Sequence, residues 1–264
     1  MYVQSITLGA DPELFIIDTS TNKVVSSVGL IPGVKDHPYV SEDMPEGFGI
    51  ETDNILAEFN IPPCRTIEEW IHNIEYMKNY IRCFVKRINP NYDIKCSAYE
   101  IVDEDQLQTP EAQLLGCDPD YNVYTMRANP KPDAKNAEGR GAGFHIHCGY
   151  ANQNIKTSLD LIKYFDAYVG LTSLLHDSDV RRRNFYGKAG SFRLQPWGFE
   201  YRSLSSAMMK TPELIEFVYN QAMKAISGYN NSFILPDSSY INTAINNGDV
   251  ELAAQLIKKY RLLY

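Results

Sequence analysis

The stretch GAGFHIHCG, residues 141–149, places two histidines two positions apart in a β-like run that is bracketed by glycines. Alternate side chains of a strand point to the same face, so His145 and His147 share one face and the apolar side chains beside them share the other. Glycines next to such a run let another backbone or a ligand approach closely. The stretch therefore predicts a strand with one face on the core and one face suited to a shared metal or a shared phosphate.

Two acidic segments precede this run. GADPELF, residues 9–15, places Asp11 and Glu13 on one face of a strand, although a turn at Asp-Pro is the commoner explanation of such a segment on its own. ETDNILAEFN, residues 51–60, places Glu58 between two apolar residues, where burial of an acid is costly without a partner or a metal. We therefore expect a function for Glu58, and a site at the first segment only in the company of other groups.

A basic stretch follows the histidine run. RRRNFYGKAGSFRLQPWGFEYRSLSS, residues 181–206, concentrates positive charge in an acidic chain and is the place where phosphates would bind. Its charged residues are Arg181, Arg182, Arg183, Lys188, Arg193, Glu200 and Arg202. Two other interpretations stay open here: a solvated basic surface for Arg181–Arg183, and a structural ion pair for Glu200 and Arg202, which lie two apart on a strand-like run.

Composition limits the function classes. The 264 residues, 44% of them apolar, suffice for one sizeable core, and we expect a single domain over residues 1–264. The 33 acidic residues outnumber the 25 basic ones, and the net charge of −8 disfavours sequence-independent binding to nucleic acid. Five scattered cysteines without CxxC spacing indicate neither disulfides nor a cysteine zinc site. The absence of a leader and of a long apolar segment predicts a soluble cytoplasmic protein with no membrane partner.

The succession of elements predicts an α+β fold. The segments follow in the order β-rich, helix, loop, β, helix, β, helix, helix, which lacks a regular βαβ alternation and favours a mixed or antiparallel sheet. A hairpin begins the fold, and Pro62-Pro63 is expected to end a later strand. Helices are predicted after the capping box of Thr66 and Glu69, from Ile155 to His176, after Thr211-Pro212 and after Asp249. The polar stretch from Asp105 to Gly139 is longer than a plain connection, and we interpret it as a functional loop or lid.

Taken together, the motifs supply several carboxylates, one or two imidazoles and several arginines on strands. Such a set suits hard divalent cations that bridge a polyphosphate better than it suits tetrahedral zinc. Neither a GxxxxGK[ST] loop nor a GxGxxG turn is present, so metal and arginine would have to hold the phosphates. We therefore expect the site to bind ATP with Mg²⁺, and Mn²⁺ is the alternative metal.

The order of these motifs resembles that of the carboxylate–amine ligases with the glutamine synthetase-like fold, a superfamily that includes γ-glutamylcysteine synthetase. GADPELF, AEFN, HIH and YRSL are similar to motifs of small phage-encoded carboxylate–amine ligases, or amidoligases, and the likeness spans about residues 7–206. It implies a glutamine synthetase-like catalytic domain whose curved, mainly antiparallel sheet is backed by helices. Asp11 stands where the superfamily more often has Glu, and the helices after Thr211 are not part of the likeness.

The resemblance also implies roles for individual residues. The implied metal ligands are Asp11, Glu13, Asp53, Glu58, His145 and Glu200, with Glu51 as an alternative to Asp53. The implied nucleotide or phosphate ligands are His147, Arg193 and Arg202. Lys188, from the basic stretch, and Arg140, at the end of the long loop, complete the predicted phosphate-binding set. The residues expected to act in catalysis are Glu58, Arg193 and Arg202.

The implied reaction is an ATP-dependent condensation. A substrate carboxylate attacks the γ-phosphoryl group, and an amine displaces the resulting acyl phosphate. The expected partners are small-molecule or peptide carboxylates and amines in a host cytoplasm, and nucleic acid is expected only as a modified-base substrate. A metal-dependent hydrolase that uses the HxH pair with acidic residues is the alternative enzyme. A non-enzymatic phage accessory protein that binds a partner through its 18 tyrosines is the second alternative.

Overall fold

The long strand β1 (Thr7–Asp18) lies at the centre of the main sheet in the computed structural model, which describes residues 2–35, 37–113, 120–130 and 137–263. Most of its side chains are buried, because other strands flank both of its edges. Asp11 and Glu13 belong to this strand and not to an isolated turn. Two acids are therefore placed in the middle of a sheet.

The sheet is assembled from strands of both halves of the chain. Besides β1, the described residues form the strands β2 (Lys23–Val25), β3 (Gly49–Asp53), β4 (Leu56–Cys64), β5 (Tyr92–Lys95), β6 (Tyr99–Ile101), β7 (Tyr121–Asn122), β8 (Arg127–Ala128), β9 (Gly139–Gly141), β10 (Phe144–Gly149), β11 (Ser191–Gln195) and β12 (Gly198–Tyr201), of which all but β6 and β9 belong to the main sheet. The main sheet has the order β3-β4-β1-β10-β12-β11-β7-β8, and these neighbours pair antiparallel. β2 and β5 pair with the end of β1, and β6 pairs with β9 in a separate small sheet.

The strand β4 continues through Pro62 and Pro63, contrary to the prediction that they end it. Its pairing with β3 stops at Asn60, so one edge of β4 carries no ladder at the prolines. The pairing with β1 also shifts register here, in the manner of a β-bulge. The missing proline N–H groups therefore leave no ladder bond unmade, and both residues fit the strand.

Four helices begin where the sequence predicts them, and a further helix that begins at Ser238 was not predicted. They are α1 (Ile67–Ile88), α2 (Ile155–Phe165), α3 (Leu171–Ser173), α4 (Pro212–Asn230), α5 (Ser238–Asn247) and α6 (Val250–Tyr260). Thr66 and Glu69 form the predicted capping box of α1, and Thr211 and Asp249 cap α4 and α6 through their side chains. A π-helical turn, Asp166–Gly170, joins α2 to α3.

Helices pack against one face of the main sheet. Trp70 of α1 is fully buried, stacks on Phe144 of β10 with ring centroids 5.8 Å apart, and donates its indole N–H to the Ile215 carbonyl of α4. Phe165 of α2 contacts Phe199 of β12 edge to face at 5.1 Å. The apolar side chains of β10 and β12 therefore face the helices, and their polar side chains face the other way.

The structure confirms a mixed α+β fold with a large antiparallel sheet and helices. The curvature of the sheet, its relation to the glutamine synthetase-like fold and the single domain stay predictions. Among the described residues, no helix combines the length and the apolarity needed to cross a membrane. Cys64, Cys83, Cys96 and Cys148 are free thiols, and Cys117 lies outside the described residues.

Candidate active site

A row of charged side chains crosses the polar face of the main sheet in register. Asp11 of β1 lies opposite His145 of β10, and His147 of β10 lies opposite Glu200 of β12. Glu200 in turn lies opposite Arg193 of β11. The antiparallel pairing thus brings together predicted site residues from four strands that are far apart in the sequence.

A second, purely acidic row lies beside the first. Glu13 of β1 is opposite Glu58 of β4, which is opposite Glu51 of β3. Side-chain oxygens of Glu13, Asp53 and Glu58 lie within 4.8 Å of one another, and all three residues are buried. We call these three residues the acidic trio; Glu51 is not part of it. Buried carboxylates this close repel one another unless protons or cations neutralise them.

Asp11 links the two imidazoles of the first row. Its Oδ1 lies 3.3 Å from Nδ1 of His145 and 3.2 Å from Nε2 of His147. Burial alone would raise the pKa of Asp11, but its interactions with His147 and His145 outweigh burial and hold that pKa below its usual range. Burial likewise lowers the pKa of His147, but the Asp11 carboxylate outweighs burial and the net shift is upward. Asp11 is therefore an anion in this site at neutral pH.

Both histidines lie near the same carboxylates. Ligand atoms of Asp11, His147 and Glu200 lie within 4.8 Å of one another. Nδ1 of His145 lies 3.6 Å from Oε1 of Glu200. Either imidazole can serve a metal at this place, so the division of roles, with His145 on the metal and His147 near the nucleotide, stays a prediction.

Glu13 is held by the backbone that precedes the histidine strand. The N–H of Gly143 donates to Oε2 of Glu13 at 2.5 Å. Burial raises the pKa of Glu13 above its usual value, His145 opposes that shift and Asp53 adds to it. A Cβ at position 143 would lie 2.5 Å from Nε2 of His145. The close approach that the flanking glycines predict is therefore found at Gly143.

Two predicted arginines flank Glu200. Arg202 forms an ion pair with Oε1 of Glu200, and Nη1 of Arg193 lies 3.1 Å from Oε2. Glu200 and Arg202 are 1% and 3% exposed. The ion pair considered for Glu200 and Arg202 is thus formed, and it holds the Arg202 guanidinium beside the row of carboxylates and imidazoles.

The two remaining predicted phosphate ligands lie in different settings. Arg140 is buried and donates to the side chain of Asn54 and to three backbone carbonyls. Its guanidinium therefore orders the chain next to Asp53, a member of the acidic trio. Lys188 is half-buried in the loop before β11.

The sequence does not single out Arg182 or Asp120, and the structure brings both to the site. Arg181 lies on a solvated surface, as one interpretation of the arginine run had it. Arg182 and Arg183 do not, since they are 3% and 7% exposed. Asp120 is buried, and its Oδ1 lies 3.6 Å from Nε of Arg202. Neither residue has a local signal, since Arg182 stands in a run of three arginines and Asp120 in a polar loop.

The stretch interpreted as a lid is described in part. It contains short 3-10 turns and the hairpin of β7 and β8, while residues 114–119 and 131–136 lie outside the described residues. The hairpin pairs with β11, and the hydroxyl of Tyr124 donates to Oδ2 of Asp166 at 2.9 Å. The hairpin is therefore fixed to the edge of the sheet, and Asp120, just before it, lies next to Arg202.

A cavity of about 270 Å³ adjoins His147. Trp197, in the turn between β11 and β12, is 40% exposed, and its ring centroid lies 5.2 Å from that of His147. Gly9, Gly149 and Pro63 also line the cavity. A flat apolar part of a ligand fits here beside the charged row.

The side chains of the site fit a hard divalent cation. The two groups that could hold one consist of carboxylate oxygens with one imidazole nitrogen, which are ligands of Mg²⁺ and Mn²⁺. Oδ1 of Asp11 and Nδ1 of His145 are buried and have no hydrogen bond to any residue that the structure describes. Polar atoms are costly to bury in this way unless a ligand uses them.

Comparison with known proteins agrees with this chemistry. The family described as phage phiEco32-like COOH.NH2 ligase-type 2 matches residues 133–251. The match includes β10, β11 and β12 with both histidines, Glu200 and its two arginines, and it begins after the acids of β1 and β4. A search of curated proteins finds no match. The family match confirms that this chain is similar to phage carboxylate–amine ligases, as the order of its motifs predicted.

Proposed function

We propose that the protein is an ATP-dependent carboxylate–amine ligase that forms an amide bond through an acyl phosphate. The observation that carries this proposal is the row of Asp11, His145, His147, Glu200 and Arg193 across four strands, in a chain that matches a ligase family. Carboxylates and imidazole suit a metal, and the adjoining guanidinium groups suit phosphate. A metal-dependent hydrolase would not account for the arginines beside the carboxylates and imidazoles.

Two groups of side chains would hold Mg²⁺ or Mn²⁺. One consists of Asp11 and Glu200 with one histidine of β10, for which we propose His145, and the other is the acidic trio. When bound, the metal neutralises charge on the ATP phosphates and orients them. The raised pKa of Glu13 supports the second group, because a crowded buried carboxylate gains most from a neighbouring cation.

Arg193 and Arg202 bind the phosphoryl group in transfer. Glu200 contacts both guanidinium groups, so their orientation is fixed before ATP binds. Donors that are already oriented stabilise developing negative charge without reorganisation during the reaction. His147 and Lys188 take other phosphate oxygens.

The reaction proceeds in two displacements. An oxygen of the substrate carboxylate attacks the γ-phosphorus, the bond to the β-phosphate oxygen breaks, and ADP leaves. The amine then attacks the acyl carbon, phosphate leaves, and the amine proton passes to solvent or phosphate. Arg140 and Asp120 hold described parts of the long loop against the site, which limits access of water to the acyl phosphate.

ADP release in the presence of Mg²⁺ and ATP tests the proposal. Pools of amino acids, peptides and polyamines are added as substrates. In a second assay the protein is incubated with host extract and ATP, and mass spectrometry searches for products whose mass equals that of two components less one water. We expect ADP release that depends on added carboxylate and amine and that is lost in Arg202→Ala but not in the exposed variant Arg181→Ala. Absence of nucleotide binding at millimolar ATP and Mg²⁺, together with tightly bound zinc, would favour the hydrolase.

A further inference from the structure

Arg182 is a buried cation that has no role in the reaction proposed above. It begins the short 3-10 turn Arg182–Asn184 that precedes the loop to β11, and it is 3% exposed. Its neighbour Arg181 points outward and pairs with Asp179 at 2.6 Å. Two adjacent arginines of one run therefore have opposite environments.

Three glycines make room for the Arg182 side chain. A Cβ at Gly141 would lie 2.7 Å from Cγ of Arg182, and a Cβ at Gly143 would lie 2.7 Å from its Nη2. A Cβ at Gly187, where φ is +76°, would collide with Nη1. The Cβ at Gly143 would also touch Nε2 of His145, so the guanidinium reaches the strand that carries the two histidines.

Charges of both signs surround this guanidinium. It lies near Glu13 and Asp120, and also near the cations Arg183 and Arg202. Oε2 of Glu13 accepts its hydrogen bond from the Gly143 N–H. Among the described residues, the guanidinium donates one hydrogen bond, from Nη1 to the Ser203 carbonyl at 3.4 Å.

An arginine has five N–H donors, and burying them without acceptors is costly. A ligand oxyanion between Arg182 and Arg202 would accept hydrogen bonds from these donors and offset the repulsion between the two cations.

We infer that Arg182, seated by Gly141, Gly143 and Gly187, binds an oxyanion, and that this oxyanion is the terminal phosphoryl group of the nucleotide. The assignment rests on the proposed function. A terminal phosphoryl group is the better candidate than a substrate carboxylate because Arg182 adjoins Arg202 and lies between the two candidate metal groups, through Glu13 and His145.

The test compares Mg·ATP with Mg·ADP in calorimetric binding to three variants. Arg182→Met keeps the bulk of the side chain and removes the charge, and Arg182→Lys keeps a charge without the fork of donors. Arg181→Met is the matched control. We expect Arg182→Met to weaken ATP binding about 10- to 100-fold while ADP binding changes less than about threefold. Arg182→Lys should recover part of that loss, and Arg181→Met should bind both nucleotides as the wild type does.

Several outcomes would overturn the assignment. Equal losses for ATP and ADP indicate a structural cation, and unchanged binding of both in Arg182→Met and Arg182→Lys indicates no contact with the nucleotide. Unchanged nucleotide binding with an increased KM for the carboxylate substrate assigns the guanidinium to that carboxylate instead. If Arg182→Met unfolds, Arg182→Lys is compared with the wild type in binding Mg·ADP with and without aluminium fluoride, a mimic of the phosphoryl group. The lysine variant should prefer the fluoride complex over ADP alone less strongly than the wild type does, and an unchanged preference would overturn the assignment. Failure of the wild type to bind either nucleotide refutes the proposed function itself.

Discussion

Among single residues, Asp11 connects the two histidines of the site. One of its oxygens contacts both imidazoles of β10, and those imidazoles lower its pKa although burial works against them. The local spacing of two in Asp11-x-Glu13 and His145-x-His147 is enough to predict that each pair shares a face, because a strand alternates. Arg182 and Asp120 escape such prediction because their burial depends on contacts with distant segments.

Loss of one acid from the acidic trio should weaken metal binding. In Glu58→Gln the trio keeps its shape but loses a negative charge, and we expect the affinity for Mn²⁺ to fall by about tenfold or more. Calorimetry with Mn²⁺ measures this change. Glu46→Gln, at an exposed position, is the control and should bind as the wild type does. Equal Mn²⁺ affinity in both variants would show that the acidic trio does not bind the metal.

Separate replacement of the two histidines tests their division of roles. We expect His145→Asn to lower Mn²⁺ affinity about tenfold, and His147→Asn to act mainly on Mg·ATP affinity. The reason is the implied position of His147 beside the nucleotide, next to the cavity at Trp197. Equal losses of metal affinity in both variants, with zinc bound in the purified protein, would contradict this division.

At the scale of elements, local signals predict the ends of helices better than the ends of strands. The capping box of α1 and the caps of α4 and α6 depend on a few neighbouring residues, and all are found. The passage of β4 through Pro62 and Pro63 depends on which neighbours that strand has, which the sequence of β4 does not contain. The same holds for the π-helical turn between α2 and α3, whose Asp166 is bound by tyrosines of other elements.

Asp166 should make stability depend on pH. Burial raises its pKa to about 7, although Tyr201 and Tyr124 donate hydrogen bonds to it. The unfolded chain releases this proton near pH 4, so the unfolding free energy falls as the pH rises from about 4 to about 7 and then levels off. We expect wild type to lose up to about 1.4 kcal/mol per pH unit more than Asp166→Asn in that window.

Urea unfolding at several pH values measures this slope. Asp160→Asn, a partly exposed position on α2, is the control and should keep the wild-type slope. Parallel profiles for wild type and Asp166→Asn would show that Asp166 is already ionised in the folded protein.

Trp70 should be a major contributor to stability. It joins α1 to β10 through Phe144 and to α4 through its indole N–H. Trp70→Ala is expected to lower the unfolding free energy by about 3–5 kcal/mol, since the site is fully buried. Denaturant unfolding measures the loss, and Trp197→Ala, in a partly exposed turn, should cost less than about 1 kcal/mol. A comparable cost for the two variants would argue against helices packed on this face.

In the whole molecule, the two faces of the main sheet have different roles. Its apolar face is covered by helices around Trp70 and Phe165, and its polar face gathers acids, imidazoles and arginines. In a chain with a net charge of −8, several arginines are thereby gathered beside the acids of this face, and we propose that they and a metal bind the ATP phosphates there. The composition predicts the overall charge and not this local grouping of arginines with acids, because the grouping depends on the pairing of distant strands.

In the proposed reaction a carboxylate oxygen attacks ATP, and oxygen labelling detects that attack. The protein is incubated with Mg·ATP, an amine pool and carboxylates labelled with ¹⁸O, and the released phosphate is measured by mass spectrometry. An acyl phosphate predicts one ¹⁸O in each phosphate released and an amide product that forms in step with ADP, both absent in Arg202→Ala. Phosphate without the label would rule out attack by the carboxylate, since its fourth oxygen would then come from water.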